Sequence, residues 1–242
     1  GAREGYGLVF GLKDYDLLLG LARGSNLQIV GIDPDSARVD SIRRRLDHEG
    51  LYGKRIAVVR GTQGGFDCPP YLASLIVING PLEPGFSRLL ESLRPYGGKA
   101  WLRNPGTGRR VIQDSVNAAG VEALRLEKGT APVVVVRNGP LPGAGSWTHQ
   151  YGDIANTVKS NDTRVKLPLG LLWFGGSSNL DVLPRHAHGP SEQVIGGRLF
   201  IQGIDCLGAR DVYTGRVLWK TMLHDLDTYG VYYDETYRET PT

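Results

Sequence analysis

Residues 27–35 have the sequence LQIVGIDPD, in which a short apolar run ends at an aspartate that is followed by a proline. A run of this length bounded by turn-forming residues is typical of a buried strand. The segment before it has the same form, because the apolar run LVF at 8–10 ends at Gly11. Between the two runs, residues 14–23 (DYDLLLGLAR) have the spacing of an amphipathic helix. The order strand, helix, strand predicts two parallel strands joined by a helical crossover.

The same alternation continues towards residue 137. We predict further strands at Arg55–Arg60, Ala73–Ile78 and Gly98–Arg103, and helices up to Glu49, over 84–94 and over 109–119. Two final strands, Glu122–Glu127 and Pro132–Arg137, flank a tight Lys128-Gly129 turn and form a hairpin, which must be antiparallel. The sequence thus predicts a Rossmann-like α/β domain over 1–138, with a mostly parallel seven-strand sheet closed by an antiparallel hairpin.

The composition changes after Asn138. Residues 139–146 (GPLPGAGS) have no apolar period and indicate a linker or crossover, which we place at 139–168. Short strand candidates separated by glycine-rich turns follow at Leu169–Phe174, Arg198–Gln202, Gly208–Asp211 and Val217–Trp219. Residues 169–242 are therefore predicted to form an all-β segment.

The composition also excludes several classes of protein. The 242 residues are 40% hydrophobic and 22% charged, which is typical of a globular chain, and the net charge of +3 is too small to imply a nucleic-acid partner. No apolar run approaches the roughly 18 residues that a membrane span needs, and no signal peptide is visible. Cys68 and Cys206 lack the Cys-x-x-Cys spacing of a zinc or haem site.

Asp33 is the first residue with a predicted chemical role. In an open parallel sheet, ligands bind at the carboxyl ends of the strands where the strand order reverses, and an acid after the second strand takes the ribose hydroxyls of a nucleoside. Asp33 follows Gly11 by 22 residues, in agreement with the roughly 20 expected. The alternative is that Asp33 only caps the next helix, a role for which Asp35 and Ser36 compete.

Four stretches together resemble the class I S-adenosylmethionine-dependent methyltransferases. They are Gly11 after an apolar strand, IDPD at 32–35, LIVIN at 75–79 and LRPYGG at 93–98. The resemblance covers about residues 6–137, and the closing hairpin agrees with the sheet of that family.

This resemblance implies a cofactor and a set of contacts to it. S-adenosylmethionine would lie at the ends of the first, second and fourth strands. Its expected contacts are Asp33 and Pro34 at the ribose, Gly11 and Leu12 at the amino-acid end, and Asn79 facing the transferred methyl group. The resemblance implies no catalytic residue and no methyl acceptor.

The first glycine motif departs from the pattern of the family. The family typically has an acid followed by Gly-x-Gly-x-Gly, whereas residues 10–15 here are FGLKDY. Glycine in such a turn allows the backbone to approach the cofactor closely, so we expect the side chains of Leu12 and Lys13 to crowd that approach. Gly61-Thr62 stands where the family often has an acid that contacts adenine. Two interpretations stay open, a working methyltransferase and a domain that keeps the fold without the chemistry.

A second resemblance begins at Ala209. The stretch ARDVYTGRVLW matches Ala-x-Asp-x-x-Thr-Gly-x-x-x-Trp, which resembles one repeat of the pyrroloquinoline-quinone-type β-propellers. In that interpretation Asp211 and Thr214 hold the turn by side-chain hydrogen bonds, and Gly215 supplies a positive φ. Trp219 is expected to dock into a neighbouring blade.

One repeat cannot form a propeller, because propellers have four to eight blades of four strands each. The all-β segment is therefore expected to be an incomplete first blade without bound pyrroloquinoline quinone, whose partners are the remaining blades or another protein chain. WTHQY at 147–151 and LWFGG at 172–176 resemble large bacterial proteins of planctomycete type that join a methyltransferase-like domain to such a propeller. This implies an extracytoplasmic location, and the alternative function is a non-catalytic binding or scaffold module in an extracytoplasmic assembly.

Histidines in the second half offer a weak pattern for a metal site. His186 and His188 on a strand would share one face, with His149 or Asp181 as a third ligand. The sequence does not fix their mutual distances, so local hydrogen bonding is the preferred interpretation and no metal site is predicted.

Overall fold

The chain folds into two compact units, which are described separately. The structure is a computed structural model, and it describes residues 3–129, 132–175, 181–182, 191–203 and 205–223. Unit 1 comprises Gly1–Leu141 and unit 2 comprises Pro142–Thr242.

Unit 1 is built on a seven-stranded sheet. Its strands are β1 (Glu4–Phe10), β2 (Asn26–Asp33), β3 (Ile56–Arg60), β4 (Ala73–Ile78), β5 (Gly98–Leu102), β6 (Leu124–Leu126) and β7 (Val133–Arg137). They lie in the order β3-β2-β1-β4-β5-β7-β6, and β7 runs opposite to the other six strands. The predicted mostly parallel sheet with a closing hairpin is confirmed.

Helices connect the parallel strands. They are α1 (Tyr15–Arg23), α2 (Ser36–His48), α3 (Phe86–Leu89) and α4 (Arg109–Ala118). The first two begin at aspartate caps, because the Asp14 carboxylate accepts a hydrogen bond from the Leu17 N–H, and that of Asp35 accepts from the N–H groups of Ala37 and Arg38. None of the helices formed by the described residues is long and apolar enough to cross a membrane.

The helix predicted over 84–94 is wrong in its length. Only the four residues of α3 are α-helical, and a single 3-10 turn, Leu90–Ser92, follows. Gly85 at the N-cap has no side chain to bind the first free N–H groups. Leu93 is already extended, and the helical conformation is disfavoured at Arg94 because a proline follows it.

Both faces of the sheet are buried, as is usual for parallel sheets. Alternate residues of β1 contribute to two apolar clusters, with Leu8 and Phe10 in one cluster and Val9 in the other. Helix α1 and helix α2 cover the second cluster, while α3 and α4 cover the first. A ligand can therefore reach this sheet only at the ends of its strands.

Unit 2 contains a four-stranded antiparallel sheet. The strands are β8 (Gln193–Ile195), β9 (Arg198–Gly203), β10 (Cys206–Asp211) and β11 (Val217–Met222), and they are hydrogen-bonded in chain order. Trp147 extends the sheet at β8, because its N–H donates to the Val194 carbonyl at 2.9 Å and its carbonyl accepts from the Val194 N–H at 2.8 Å. Part of the segment predicted as a linker over 139–168 is therefore paired with this sheet.

The strand predicted at Leu169–Phe174 does not form, and β8 was not predicted. An apolar run becomes a strand only where a partner strand takes up its hydrogen bonds, and no described strand pairs with this one. Its apolar side chains are exposed instead, Leu171 to 80% and Phe174 to 94%. Trp173 is held differently, because its indole N–H donates to the Val212 carbonyl at 2.9 Å.

Candidate functional site

A cleft opens at the carboxyl ends of the first four strands of unit 1. β1 is flanked by β2 on one side and β4 on the other, so the crossovers diverge at this point, which is where open α/β sheets bind ligands. The cleft has a volume of about 310 Å³. Its lining residues are Phe10, Gly11, Lys13, Ile32, Asp33, Pro34, Arg38, Gly61, Thr62, Gln63, Asn79, Gly80, Pro81 and Glu83.

Gly11 allows the ends of β1 and β4 to meet. Its φ is 83°, and a Cβ at this position would lie 2.6 Å from the Asn79 carbonyl oxygen. The Gly11 N–H donates to the Ile32 carbonyl, and the Asn79 side-chain amide donates to the Gly11 carbonyl at 3.3 Å. The predicted cofactor residues Gly11 and Asn79 therefore lie side by side and are bonded to each other.

Asp33 is buried in the wall of the cleft, with 2% of its surface exposed. Its Oδ2 accepts from the Leu12 N–H at 2.8 Å, and its Oδ1 accepts from the Asp35 N–H at 3.0 Å. Arg38 forms an ion pair with it, with 2.6 Å between Nη1 and Oδ1. Asp35 and not Asp33 caps α2, so the capping alternative is wrong for Asp33, which binds the β1–α1 turn to the end of β2.

Leu12 does not obstruct the cleft, contrary to the expectation from the missing glycines. Its side chain is 2% exposed and packs in the core beside Gly31, where a Cβ would lie 3.0 Å from the leucine Cδ1. The short turn between β1 and α1 directs this side chain into the apolar cluster that α1 and α2 cover. Lys13 is exposed and does line the cleft, so only the second of the two side chains stands at the opening.

Two residues that the sequence did not single out close the opposite wall. The Gln63 N–H donates to Glu83 Oε2 at 3.0 Å, and the Glu83 N–H donates to Gln63 Oε1 at 3.1 Å. The Gln63 amide also donates to the Pro81 carbonyl at 2.9 Å. The two loops cross closely here, since a Cβ on Gly64 would lie 3.3 Å from the Gly85 Cα.

The N-terminus of α1 already holds a carboxylate. Asp14 accepts from the Leu17 N–H and from Arg103 at 3.0 Å, and both bonds hold the pKa of the Asp14 carboxyl below its usual value. A helix N-terminus attracts anions, and here the chain supplies the anion. The Leu17 N–H at this helix end is therefore not available to the carboxylate of a cofactor.

The propeller-like stretch forms the turn between β10 and β11. Asp211 Oδ1 accepts from the Tyr213 N–H at 2.9 Å, and Thr214 Oγ1 accepts from the Arg216 N–H at 3.5 Å. Gly215 has a φ of 68°, and Ala209 is fully buried opposite Trp219.

Trp219 lies at the surface of the unit 2 sheet. Its side chain stays 40% exposed, and its ring lies 6.2 Å from that of Phe200 in the same sheet. In the part of the chain that the structure describes, the ring does not dock into a second blade.

The histidine pattern has no structural counterpart among the described residues. They contain no group of three His, Cys, Asp or Glu side chains that could hold a metal ion. His186 and His188 lie outside the described residues.

Comparison with known proteins gives a limited result. No family model and no curated protein matches this chain. Similar solved structures include a candidate S-adenosyl-L-methionine-dependent methyltransferase from Methanococcus maripaludis, at 16% identity and a TM-score of 0.48, over 56% of this chain and 78% of the other.

Two further structures are similar to the same degree. A methyltransferase from Aquifex aeolicus has 15% identity and a TM-score of 0.45, over 56% of this chain and 83% of its own. Phosphoethanolamine N-methyltransferase 2 from Haemonchus contortus has 15% identity and a TM-score of 0.44, over 53% and 35%. The strand order of unit 1 is itself that of a Rossmann-like sheet closed by an antiparallel hairpin.

Proposed function

We propose that unit 1 binds S-adenosylmethionine, or its product S-adenosylhomocysteine, in the cleft at the ends of β1, β2 and β4. The observation that carries the proposal is the position of Asp33, a buried carboxylate at the end of β2 that lines the cleft. An acid in this position of an open α/β sheet recognises a ribose. The volume of about 310 Å³ lies within the range of small-molecule pockets.

The residues of the cleft fit such a ligand. Asp33 would accept a ribose hydroxyl, and Gly11, which has no side chain, adds no bulk at the end of β1. Leu12 leaves the turn free because its side chain is in the core. The cofactor, when bound, supplies an activated methyl group.

The proposal is limited to binding, because the carboxylates of the cleft are already engaged by the chain. Asp33 and Glu83 are the carboxylates that line it, and both already accept hydrogen bonds from the chain. Asn79 donates its amide to the Gly11 carbonyl.

Calorimetric titration of S-adenosylhomocysteine into the full chain tests the proposal. We expect a micromolar dissociation constant, about −8 kcal/mol. Asp33→Asn should weaken it at least about tenfold, since a hydrogen bond to a charged group contributes about 1.5–3 kcal/mol. Asp47→Asn, on the exposed surface of α2, is the matched control and should bind like the unaltered chain. No heat and no thermal shift at millimolar ligand would refute the proposal.

For unit 2 we propose a second function, that of one blade of a pyrroloquinoline-quinone-type propeller in an extracytoplasmic assembly. Two observations support it. The sheet has the four antiparallel strands of a blade, and the turn from Asp211 to Gly215 has the hydrogen bonds and the positive φ that the repeat needs.

Adding the remaining blades of such a propeller as a separate protein tests this second proposal. The two chains should form a complex in which Trp219 becomes protected from acrylamide quenching, because a second blade would cover its exposed ring. Trp219→Ala should weaken the complex at least about tenfold, by about 1.4 kcal/mol or more. Lys54→Ala, an exposed change in unit 1, should not. Absence of a complex, or unchanged quenching of Trp219 within it, would contradict the proposal.

A further inference from the structure

Arg38 occupies the position next to Asp33 at which a ribose would have to bind. It lines the cleft, and its guanidinium Nη1 lies 2.6 Å from Asp33 Oδ1. We propose that Arg38 competes with the ribose for Asp33 and so sets the affinity and the ribose selectivity of the cleft. This inference rests on the proposed nucleoside site in unit 1.

A count of lone pairs gives the physical basis. An ionised carboxylate accepts about four hydrogen bonds, two on each oxygen. Asp33 Oδ1 accepts from the Asp35 N–H and from Arg38, so it is filled, while Oδ2 accepts from the Leu12 N–H alone and keeps one position. Two neighbouring ribose hydroxyls need two acceptor positions. With Arg38 in place, Asp33 can take one hydroxyl but not both.

Arg38 has a second partner to which it can withdraw. Its Nη2 lies 3.2 Å from Asp35 Oδ2, and the Asp35 side chain is 45% exposed. The Arg38 side chain is itself 30% exposed, whereas that of Asp33 is 2% exposed. The buried carboxylate is therefore fixed by backbone N–H groups, and the arginine is the part of the ion pair that can move.

The competition predicts a selectivity that can be measured with two simple probes. Adenosine carries both ribose hydroxyls, and 2′,3′-dideoxyadenosine carries neither. The dissociation constant of dideoxyadenosine divided by that of adenosine reports how many hydroxyl contacts Asp33 makes. Removing Arg38 frees one acceptor position, so this ratio should increase about tenfold, the value of one added hydrogen bond to a charged group.

The experiment compares the full chain with Arg38→Met by calorimetry. The variant should bind adenosine and S-adenosylhomocysteine about tenfold more tightly and dideoxyadenosine no more tightly. Arg44→Met is the matched control, because Arg44 is exposed on the same helix α2, and it should leave all three affinities unchanged. Arg38→Lys keeps a positive charge beside Asp33 and serves as a control for a folding defect in Arg38→Met. Its ratio of dissociation constants should lie between those of the unaltered chain and Arg38→Met.

The outcomes separate this inference from the proposed function. If the unaltered chain binds S-adenosylhomocysteine but the adenosine ratio is the same in Arg38→Met, the cofactor site stands and the competition is refuted. Weaker adenosine binding by Arg38→Met would also refute it, because Arg38 would then be a ligand contact. If no variant binds any of the three probes, the nucleoside site itself is refuted and the inference with it.

Discussion

At the scale of single residues, Gly11 controls whether the cleft can form. The carbonyl of Asn79 approaches it so closely that no side chain fits, and its φ of 83° is one that other residues rarely adopt. The same glycine brings the Asn79 amide to the edge of the cleft. A substitution here should therefore change stability and the geometry of the site together.

We predict that Gly11→Ala lowers the free energy of unfolding by about 2–4 kcal/mol, from the strained φ and the clash with the Asn79 carbonyl. Gly50→Ala is the control, since Gly50 has a φ of 68° but open space around its missing Cβ. It should cost only about 1 kcal/mol, the strain alone. Urea denaturation of both variants measures the difference, and equal losses would show that the contact with Asn79 contributes nothing.

Asp33 shows what the sequence could and could not predict at this scale. Its spacing from Gly11 correctly placed a carboxylate at the edge of the predicted sheet, because strand lengths and a short crossover fix that distance. Its partner Arg38 could not be predicted, since the pair depends on how the Asp35 cap orients the first turn of α2. Leu12 was misjudged for the same reason, because the direction of one side chain in a four-residue turn depends on local backbone angles.

At the scale of elements, prediction succeeded where burial alone determines the structure. The strands of the parallel sheet are apolar runs buried on both faces, so their existence follows from hydrophobicity. Two other segments were misassigned. The segment after Gly85 lacks a capping side chain and is stopped by Pro95, and Leu169–Phe174 lacks a strand partner among the described residues. In both, the missing information was the hydrogen-bonding environment of the backbone.

At the scale of the whole molecule, topology assembles the cleft from distant parts of the chain. Gly11, Asp33 and Asn79 are brought to one edge because parallel strands end on the same side of a sheet and β1 lies between β2 and β4. That convergence could be predicted from strand order alone. The opposite wall, with Gln63 and Glu83, depends on loop conformations and could not.

Unit 2 differs from unit 1 in how little apolar surface it buries. Among its described residues, the buried apolar side chains are those of Cys206 and Ala209. Large apolar side chains are exposed instead along one stretch of the chain, from Val165 at 72% through Leu167 and Leu169 to Phe174 at 94%. Exposed apolar side chains of this kind can bind hydrophobic dyes.

We predict that the double change Leu171→Ser and Phe174→Ser lowers the fluorescence of a bound hydrophobic dye while changing the free energy of unfolding by no more than about 0.5 kcal/mol per site. Exposed side chains contribute little to the stability of the chain itself, but they supply the surface to which such dyes bind. Val111→Ser, which removes an isolated exposed apolar residue on α4, should leave the dye signal unchanged. A loss of stability of about 2 kcal/mol or more in the double variant would contradict this prediction, because it would mean that these side chains pack within the chain.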